Sequence, residues 1–165
     1  MSESVPFIKK ARPYEKSRPR VRLADQLPLD TPLSVQIDPS NQCNFRCTFC
    51  PTGHPDLLER VRQSPGQLLD YALYERLVDD LKAFGRPLKT LSLHKDGEPL
   101  LHPRLPDMVA LARRAGVAER IVLLTNGSLL TRAKAIALLD AGLDVIRISV
   151  EHVHSAGYKA HTQTY

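Results

Sequence analysis

Four short segments with the apolar pattern of β-strands alternate with three helical segments from Leu33 onward. The predicted strands are Leu33–Asp38, Thr90–His94, Arg120–Thr125 and Val145–Val150. The predicted helices, with apolar residues at helical spacing, are Leu68–Phe84, Leu105–Ala115 and Thr131–Ala141. This alternation predicts an α/β fold in which parallel strands are joined by right-handed crossovers.

Glycine and proline positions set the expected ends of these elements. Gly85, Gly116 and Gly142 each follow a predicted helix and are expected to terminate it. A further short helix is expected within Asp56–Gln63, while the polar tail Glu151–Tyr165 is predicted to be a loop with no helix after the fourth strand.

Residues 1–30 form a basic, proline-rich arm without periodicity, and residues 31–165 are taken as one core domain. The chain of 165 residues carries a net charge of +5. The arm contributes much of the excess through Lys9, Lys10, Arg12, Lys16, Arg18, Arg20 and Arg22. A solvated tail is the favoured interpretation. A nucleic-acid partner is not expected, because the rest of the chain lacks a basic stripe with interleaved aromatic residues.

The beginning of the chain has no secretory signal pattern, and no apolar run approaches the roughly 20 residues of a membrane span. No membrane association and a cytoplasmic location are therefore expected.

The three cysteines of the chain all lie within one short loop after the first predicted strand. Their spacing is Cys43-x3-Cys47-x2-Cys50, an odd number of closely grouped thiols that argues against a disulfide framework. Soft thiolates favour iron–sulfur clusters, and three ligands leave one iron of a cubane open. Spacing alone leaves two alternatives: a zinc site of the three cysteines completed by His54, or structural cysteines on a buried helix.

The segment Cys-Asn-Phe-Arg-Cys-Thr-Phe-Cys resembles the CxxxCxxC loop of the radical S-adenosylmethionine (radical SAM) superfamily. The resemblance implies that Cys43, Cys47 and Cys50 bind one [4Fe–4S] cluster, and that the open iron binds S-adenosylmethionine. It also implies reductive cleavage of that cofactor to a 5′-deoxyadenosyl radical, which abstracts hydrogen from a substrate. Phe49, the aromatic residue before the last cysteine, belongs to this pattern as a cofactor contact.

Three further loops follow the later strands and resemble cofactor-binding segments of the same family. Asp96-Gly97-Glu98-Pro99 is similar to the GGEP-type loop, which implies that Gly97 and Glu98 meet the methionine part of the cofactor. Asp96 replaces the usual first glycine and is not carried over. Asn126, in a Thr-Asn-Gly segment, is implied to lie near the cofactor.

The end of the fourth strand completes the pattern: Ser149 and Glu151 match an S-x-E arrangement that contacts the cofactor's ribose. All these segments lie at the carboxyl ends of predicted strands, which is where parallel sheets bind their ligands. His94 lies at the end of the second strand, but no histidine is assigned a catalytic role. Arg147 is expected to face the barrel lumen or an exposed edge.

The resemblance implies a partial (βα) TIM-like barrel, of which about four βα units are present out of an expected six. It is to the N-terminal half of a SPASM-type member, so the core domain is expected to be incomplete at its C-terminus. An open sheet edge would then allow self-association.

The implied partners are a flavodoxin- or ferredoxin-like electron donor and a peptide or small-molecule substrate. The alternative function is a non-catalytic, truncated remnant that binds a metal or cluster through the three cysteines, with or without a histidine as a further ligand.

Overall fold

The computed structural model describes residues 22–54, 56–57 and 66–163. Four parallel strands form one sheet in the order β1-β2-β3-β4. The strands are β1 Ser34–Gln36, β2 Thr90–Ser92, β3 Ile121–Thr125 and β4 Val145–Ile148. Four helices accompany them: α1 Tyr71–Lys82, α2 Leu105–Ala115, α3 Arg132–Asp140 and α4 Ser155–Thr162. The predicted α/β class and the alternation of parallel strands with helices are confirmed. Most of the predicted Asp56–Gln63 helix and of the arm 1–30 lies outside the described residues.

The helices begin and end where local chemistry favours it. The side chain of Asp70 caps α1 by accepting a hydrogen bond from the Leu73 backbone N–H at 2.9 Å, and Thr131 caps α3 in the same way. Gly116 ends α2 with a φ of 65°, the left-handed conformation expected of a glycine cap. The prediction for Gly85 was wrong: α1 ends at Lys82 with Ala83 as its cap, before the glycine is reached.

A single apolar core lies between the sheet and helices α1 to α3. Its fully buried members include Tyr74, Val78, Leu91, Met108, Val109, Ile121, Leu123 and Leu138. The Tyr74 hydroxyl donates a buried hydrogen bond of 3.0 Å to the Met108 carbonyl oxygen, which ties α1 to α2. Tyr74 and Val78 thus form the centre of the buried face of α1, whereas Leu73, predicted on that face, is 40% exposed.

The prediction of a loop over Glu151–Tyr165, with no helix after the fourth strand, was wrong. Helix α4 forms because tertiary contacts support it. The ring of Tyr158 packs edge-on against Phe45 at 6.2 Å between centroids. The carbonyl oxygens of His161 and Thr162 accept hydrogen bonds from the backbone of the cysteine loop. Such long-range contacts do not require apolar residues at helical spacing, so the sequence of this short polar segment did not predict a helix.

Strand β4 lies at one end of the sheet and is largely exposed. Ile146 is 37% and Ile148 52% accessible, so this edge of the described sheet carries apolar surface. Self-association through it stays a prediction. Among the described residues, no helix combines the length and the apolar character needed to cross a membrane.

Candidate cluster and cofactor site

Four loops at the carboxyl ends of the parallel strands surround one cavity of about 150 Å³. Every site residue predicted from the sequence lines this cavity. They are Cys43, Cys47, Phe49, Cys50, Gly97, Glu98, Asn126, Ser149 and Glu151. The cavity is small, and its ionisable and hydrogen-bonding side chains stand among apolar ones such as Phe49 and Leu124. Two larger grooves, of about 530 and 430 Å³, are lined mainly by apolar side chains and carry no comparable group of functional side chains.

The cysteine loop runs from β1 to a 3-10 turn at Pro51–Gly53 and is held by backbone hydrogen bonds. The Cys50 N–H donates to the Cys47 carbonyl at 3.1 Å, and the Gly53 N–H donates to the Cys50 carbonyl at 3.0 Å. All three cysteines are free thiols of intermediate exposure. The loop therefore presents three thiols to the cavity on a folded backbone.

Helix α4 covers the outer side of this loop. The backbone N–H groups of Arg46 and Thr48, on either side of Cys47, donate to the carbonyl oxygens of Thr162 at 3.1 Å and His161 at 2.9 Å. Phe45, only 7% exposed, packs beneath Tyr158. The segment after β4 thus contributes to the position of the thiols.

Negative neighbours and burial oppose ionisation of two of the thiols. Burial raises the pKa of Cys43, and the charges of Glu98 and Cys50 add to the rise, against a hydrogen bond from the Phe45 N–H. Burial also raises the pKa of Cys47, with further contributions from Cys43, Cys50 and Glu151. Since neighbouring thiolates disfavour the ionised forms of Cys43 and Cys47, bound cations would offset the repulsion.

The donor set fits an iron–sulfur cluster. Three soft thiols face one cavity, and a cluster's iron ions supply the positive charge that these crowded thiols need. Among the described side chains, no three ligating groups converge closely enough to hold a single metal ion. In a cubane each cysteine binds a separate iron. His54, which the zinc alternative requires, does not line the cavity, and its Nε2 lies 3.0 Å from the Thr48 carbonyl oxygen.

Gly97 is required by the packing of its own loop against the cysteine loop. A Cβ atom at this position would lie 1.9 Å from the Ser40 carbonyl oxygen and 2.6 Å from that of Gln42. The neighbouring Glu98 N–H donates to the same Gln42 carbonyl at 2.7 Å. The missing side chain therefore lets the second loop close onto the first.

Glu98 is 2% exposed, and its carboxylate joins the second loop to the third. One oxygen, Oε1, accepts from the Leu100 N–H at 2.9 Å and the Thr125 hydroxyl at 2.6 Å. The other, Oε2, accepts from the Asn126 N–H at 2.8 Å. Both oxygens are thus used inside the protein, so this geometry supports a structural role for Glu98.

Asp96, which stands in place of the usual glycine, does not line the cavity. Its carboxylate lies 2.8 Å from the Lys95 ammonium, and its N–H donates to Asp38 at 3.2 Å. The substitution is therefore accommodated outside the cavity.

His94 and Lys95 also line the cavity, although the sequence assigned them no role. The Leu124 N–H donates to His94 Nδ1 at 3.1 Å, so the proton of the neutral ring lies on Nε2. Burial lowers the pKa of His94, against a hydrogen bond with the Val122 backbone that raises it, and the positive charge of Arg147 adds to the lowering. Arg147 pairs in register with Leu124, which lines the cavity, so both residues lie on the cavity side of the sheet. The position of His94 at the end of the second predicted strand was the one available signal for its place at the cavity.

Comparisons with known proteins identify the family of the chain. The family model of the radical SAM superfamily matches residues 37–165. GTP 3',8-cyclase of Chlorobaculum tepidum is 33% identical over 118 residues, which cover 71% of this chain and 32% of that protein. PqqA peptide cyclase of Gluconobacter oxydans is 32% identical over 127 residues, covering 76% of this chain and 32% of that protein. The chain thus spans about a third of the length of these relatives.

Two solved structures share the fold. The structure of BtrN in complex with AdoMet and 2-DOIA matches with a TM-score of 0.61 and 25% identity, over 75% of this chain and 47% of BtrN. Streptococcus suis SuiB bound to S-adenosylmethionine matches with a TM-score of 0.59 and 18% identity, over 81% of this chain and 27% of SuiB.

Proposed function

The chain belongs to the radical SAM superfamily, and from this premise we propose that it forms the cluster- and cofactor-binding part of a radical SAM enzyme. The observation that carries the proposal is the convergence of four loops, with their thiol, amide, hydroxyl and carboxylate groups, on one cavity. When bound, the cluster and S-adenosylmethionine would supply one-electron cleavage of the cofactor's sulfur–C5′ bond, yielding methionine and a 5′-deoxyadenosyl radical that takes a hydrogen atom from the substrate.

The three thiolates would hold three irons of one [4Fe–4S] cluster. Cys43, Cys47 and Cys50 would each bind one iron, so that the fourth iron keeps an open position for the cofactor. The contacts of Phe45 and of helix α4 with the loop support this role, because they hold in place the backbone that carries the thiols.

The remaining side chains around the cavity would bind and orient the cofactor. The ring of Phe49, 59% exposed, offers an apolar face to the adenine base. Ser149 and Glu151, at the end of β4, would hydrogen-bond the ribose hydroxyls. The loop of Gly97 would meet the methionine amino group, while Glu98 and Asn126 hold the surrounding loops together.

The substrate is not carried over from the relatives. GTP 3',8-cyclase and PqqA peptide cyclase are named for different substrates, a nucleotide and a peptide, although each matches more than two thirds of this chain. A peptide or small-molecule substrate and a flavodoxin- or ferredoxin-like electron donor are proposed as partners.

Anaerobic reconstitution of the full chain with iron and sulfide tests the proposal. We expect about four irons and four sulfides per chain, a broad visible absorption that dithionite bleaches, and 5′-deoxyadenosine after addition of S-adenosylmethionine. Cys47→Ser should abolish 5′-deoxyadenosine formation. Thr48→Ser, a change at an exposed neighbour, should retain it.

Two results would overturn the proposal. Retention of zinc with no 5′-deoxyadenosine under any reductant would favour a non-catalytic metal-binding module. Equal iron content in the parent and in a variant with all three cysteines changed to alanine would show that the loop does not bind the cluster.

A further inference from the structure

Two of the three cysteine sulfurs lie within hydrogen-bond distance of a side chain that is not itself a proposed ligand. The Thr52 hydroxyl oxygen is 2.9 Å from Cys50 Sγ. The Asn126 amide nitrogen Nδ2 is 3.9 Å from Cys43 Sγ. The two groups come from different loops, so the contacts arise independently.

The chemistry of a ligated thiolate sets the direction of the first contact. A cysteine bound to iron has no proton to donate. The hydroxyl of Thr52 is therefore the donor and Cys50 Sγ the acceptor once a metal centre is bound. Thr52 lies only two residues after Cys50, in the turn Pro51–Gly53, so the contact is local to the cysteine loop.

The orientation of the Asn126 amide is set by its other partners. Its Oδ1 accepts from the Ser128 N–H at 2.9 Å and the Ser128 hydroxyl at 2.7 Å, so this end must be the carbonyl oxygen. Its Nδ2 donates to Asn44 Oδ1 at 2.9 Å. These contacts turn the NH₂ group toward the sulfur of Cys43, while Glu98 holds the Asn126 backbone in place.

We propose that Thr52 and Asn126 are positioning residues that raise the reduction potential of the metal centre by donating hydrogen bonds to the thiolates of Cys50 and Cys43. The inference rests on the proposed function, since it takes these cysteines as cluster ligands. One-electron reduction adds negative charge to the cluster and its sulfurs. A donor aimed at a thiolate stabilises the reduced state more than the oxidised state. The chain thus eases the reduction on which cofactor cleavage depends.

An EPR-monitored redox titration of the reconstituted full chain tests this inference. Thr52→Val removes the hydroxyl while keeping a similar shape, and the one-electron reduction equilibrium should fall by about tenfold, equal to a potential about 59 mV lower. Thr52→Ser keeps the hydroxyl and should restore the parent potential. Thr48→Val is the matched control, because Thr48 is exposed and its described hydrogen bonds use the backbone.

Asn126→Asp provides a second measurement. It keeps an oxygen for Ser128 but replaces the donor beside Cys43 by a carboxylate oxygen, so the potential should fall further than in Thr52→Val. The titration reports assembled clusters only, so lower iron loading in a variant leaves the result interpretable.

The outcomes separate the two proposals. A parent chain that assembles no cluster contradicts the proposed function itself. A parent that assembles the cluster, with Thr52→Val and Asn126→Asp at the parent potential, overturns the inference and leaves the proposed function intact. A fall in Thr48→Val equal to that in Thr52→Val also overturns it, because the effect would then be a general response of the loop.

Discussion

Replacement of Glu98 by glutamine tests whether this buried carboxylate joins the loops around the cavity. The variant retains one oxygen, which can still accept from Leu100 and Thr125. Its new NH₂ group faces the Asn126 N–H, so two donors meet where a donor and an acceptor met before. The opposite orientation of the amide is worse, because it sets the NH₂ group against two donors.

The size of the effect follows from the hydrogen bonds lost. The hydrogen bond from the Asn126 N–H to the charged carboxylate is lost, and such a bond contributes about 1.5–3 kcal/mol. The hydrogen bonds from Leu100 and Thr125 stay but have a neutral acceptor, which weakens each of them by about 0.5–1 kcal/mol. Glu98 is 2% exposed, so water does not compensate. We expect the free energy of unfolding to fall by about 3–4 kcal/mol, which corresponds to a Tm lower by about 10 °C for a chain of this size.

Urea unfolding followed by far-UV circular dichroism measures this change, with the cluster-free chain used for both proteins. Glu75→Gln is the matched control, because Glu75 is exposed on α1, and its effect should stay within about 0.5 kcal/mol. A stability of Glu98→Gln equal to that of the control would refute the reasoning. It would mean that the three hydrogen bonds do not hold the loops.

Two further predictions follow from the loops after β2. Gly97→Ala places a Cβ against backbone carbonyls of the cysteine loop, so we expect the free energy of unfolding to fall by about 3 kcal/mol or more and iron loading to be poor. Gly85→Ala is the control, because open space surrounds its Cβ and the change should be nearly neutral. Equal urea unfolding curves for the two variants would contradict the packing at Gly97. Burial lowers the pKa of His94 in the folded chain below the ordinary value of about 6.5. Between these two pKa values the unfolded chain binds more protons than the folded chain. The contribution of His94 to the free energy of unfolding is therefore complete above about pH 6.5 and declines as the pH falls toward the lowered pKa. His94→Asn keeps an acceptor for the Leu124 N–H without titrating, so urea unfolding at pH 7.5 and 5.5 should show a smaller decline than in the parent; identical declines would count against this role.

The four strands and the three core helices were predictable because their signals are local. Apolar residues repeat at the period of each element, and Leu105–Ala115 was predicted with the bounds that the structure has. The meeting of the four loops was predictable too, since parallel strands bring their carboxyl ends to the same edge. The motifs beginning at Cys43 could therefore be assigned to one site before any contact was known.

Only the tertiary structure shows which partners the polar side chains of that site contact. Helix α4 depends on contacts with the cysteine loop more than a hundred residues earlier in the chain, so its short polar sequence carried no helical pattern. The resemblance implied a cofactor contact for Glu98, yet its oxygens are directed to Thr125 and Asn126. Periodicity reports which face of an element is buried, whereas the partner of a polar atom depends on which distant loops the fold brings beside it.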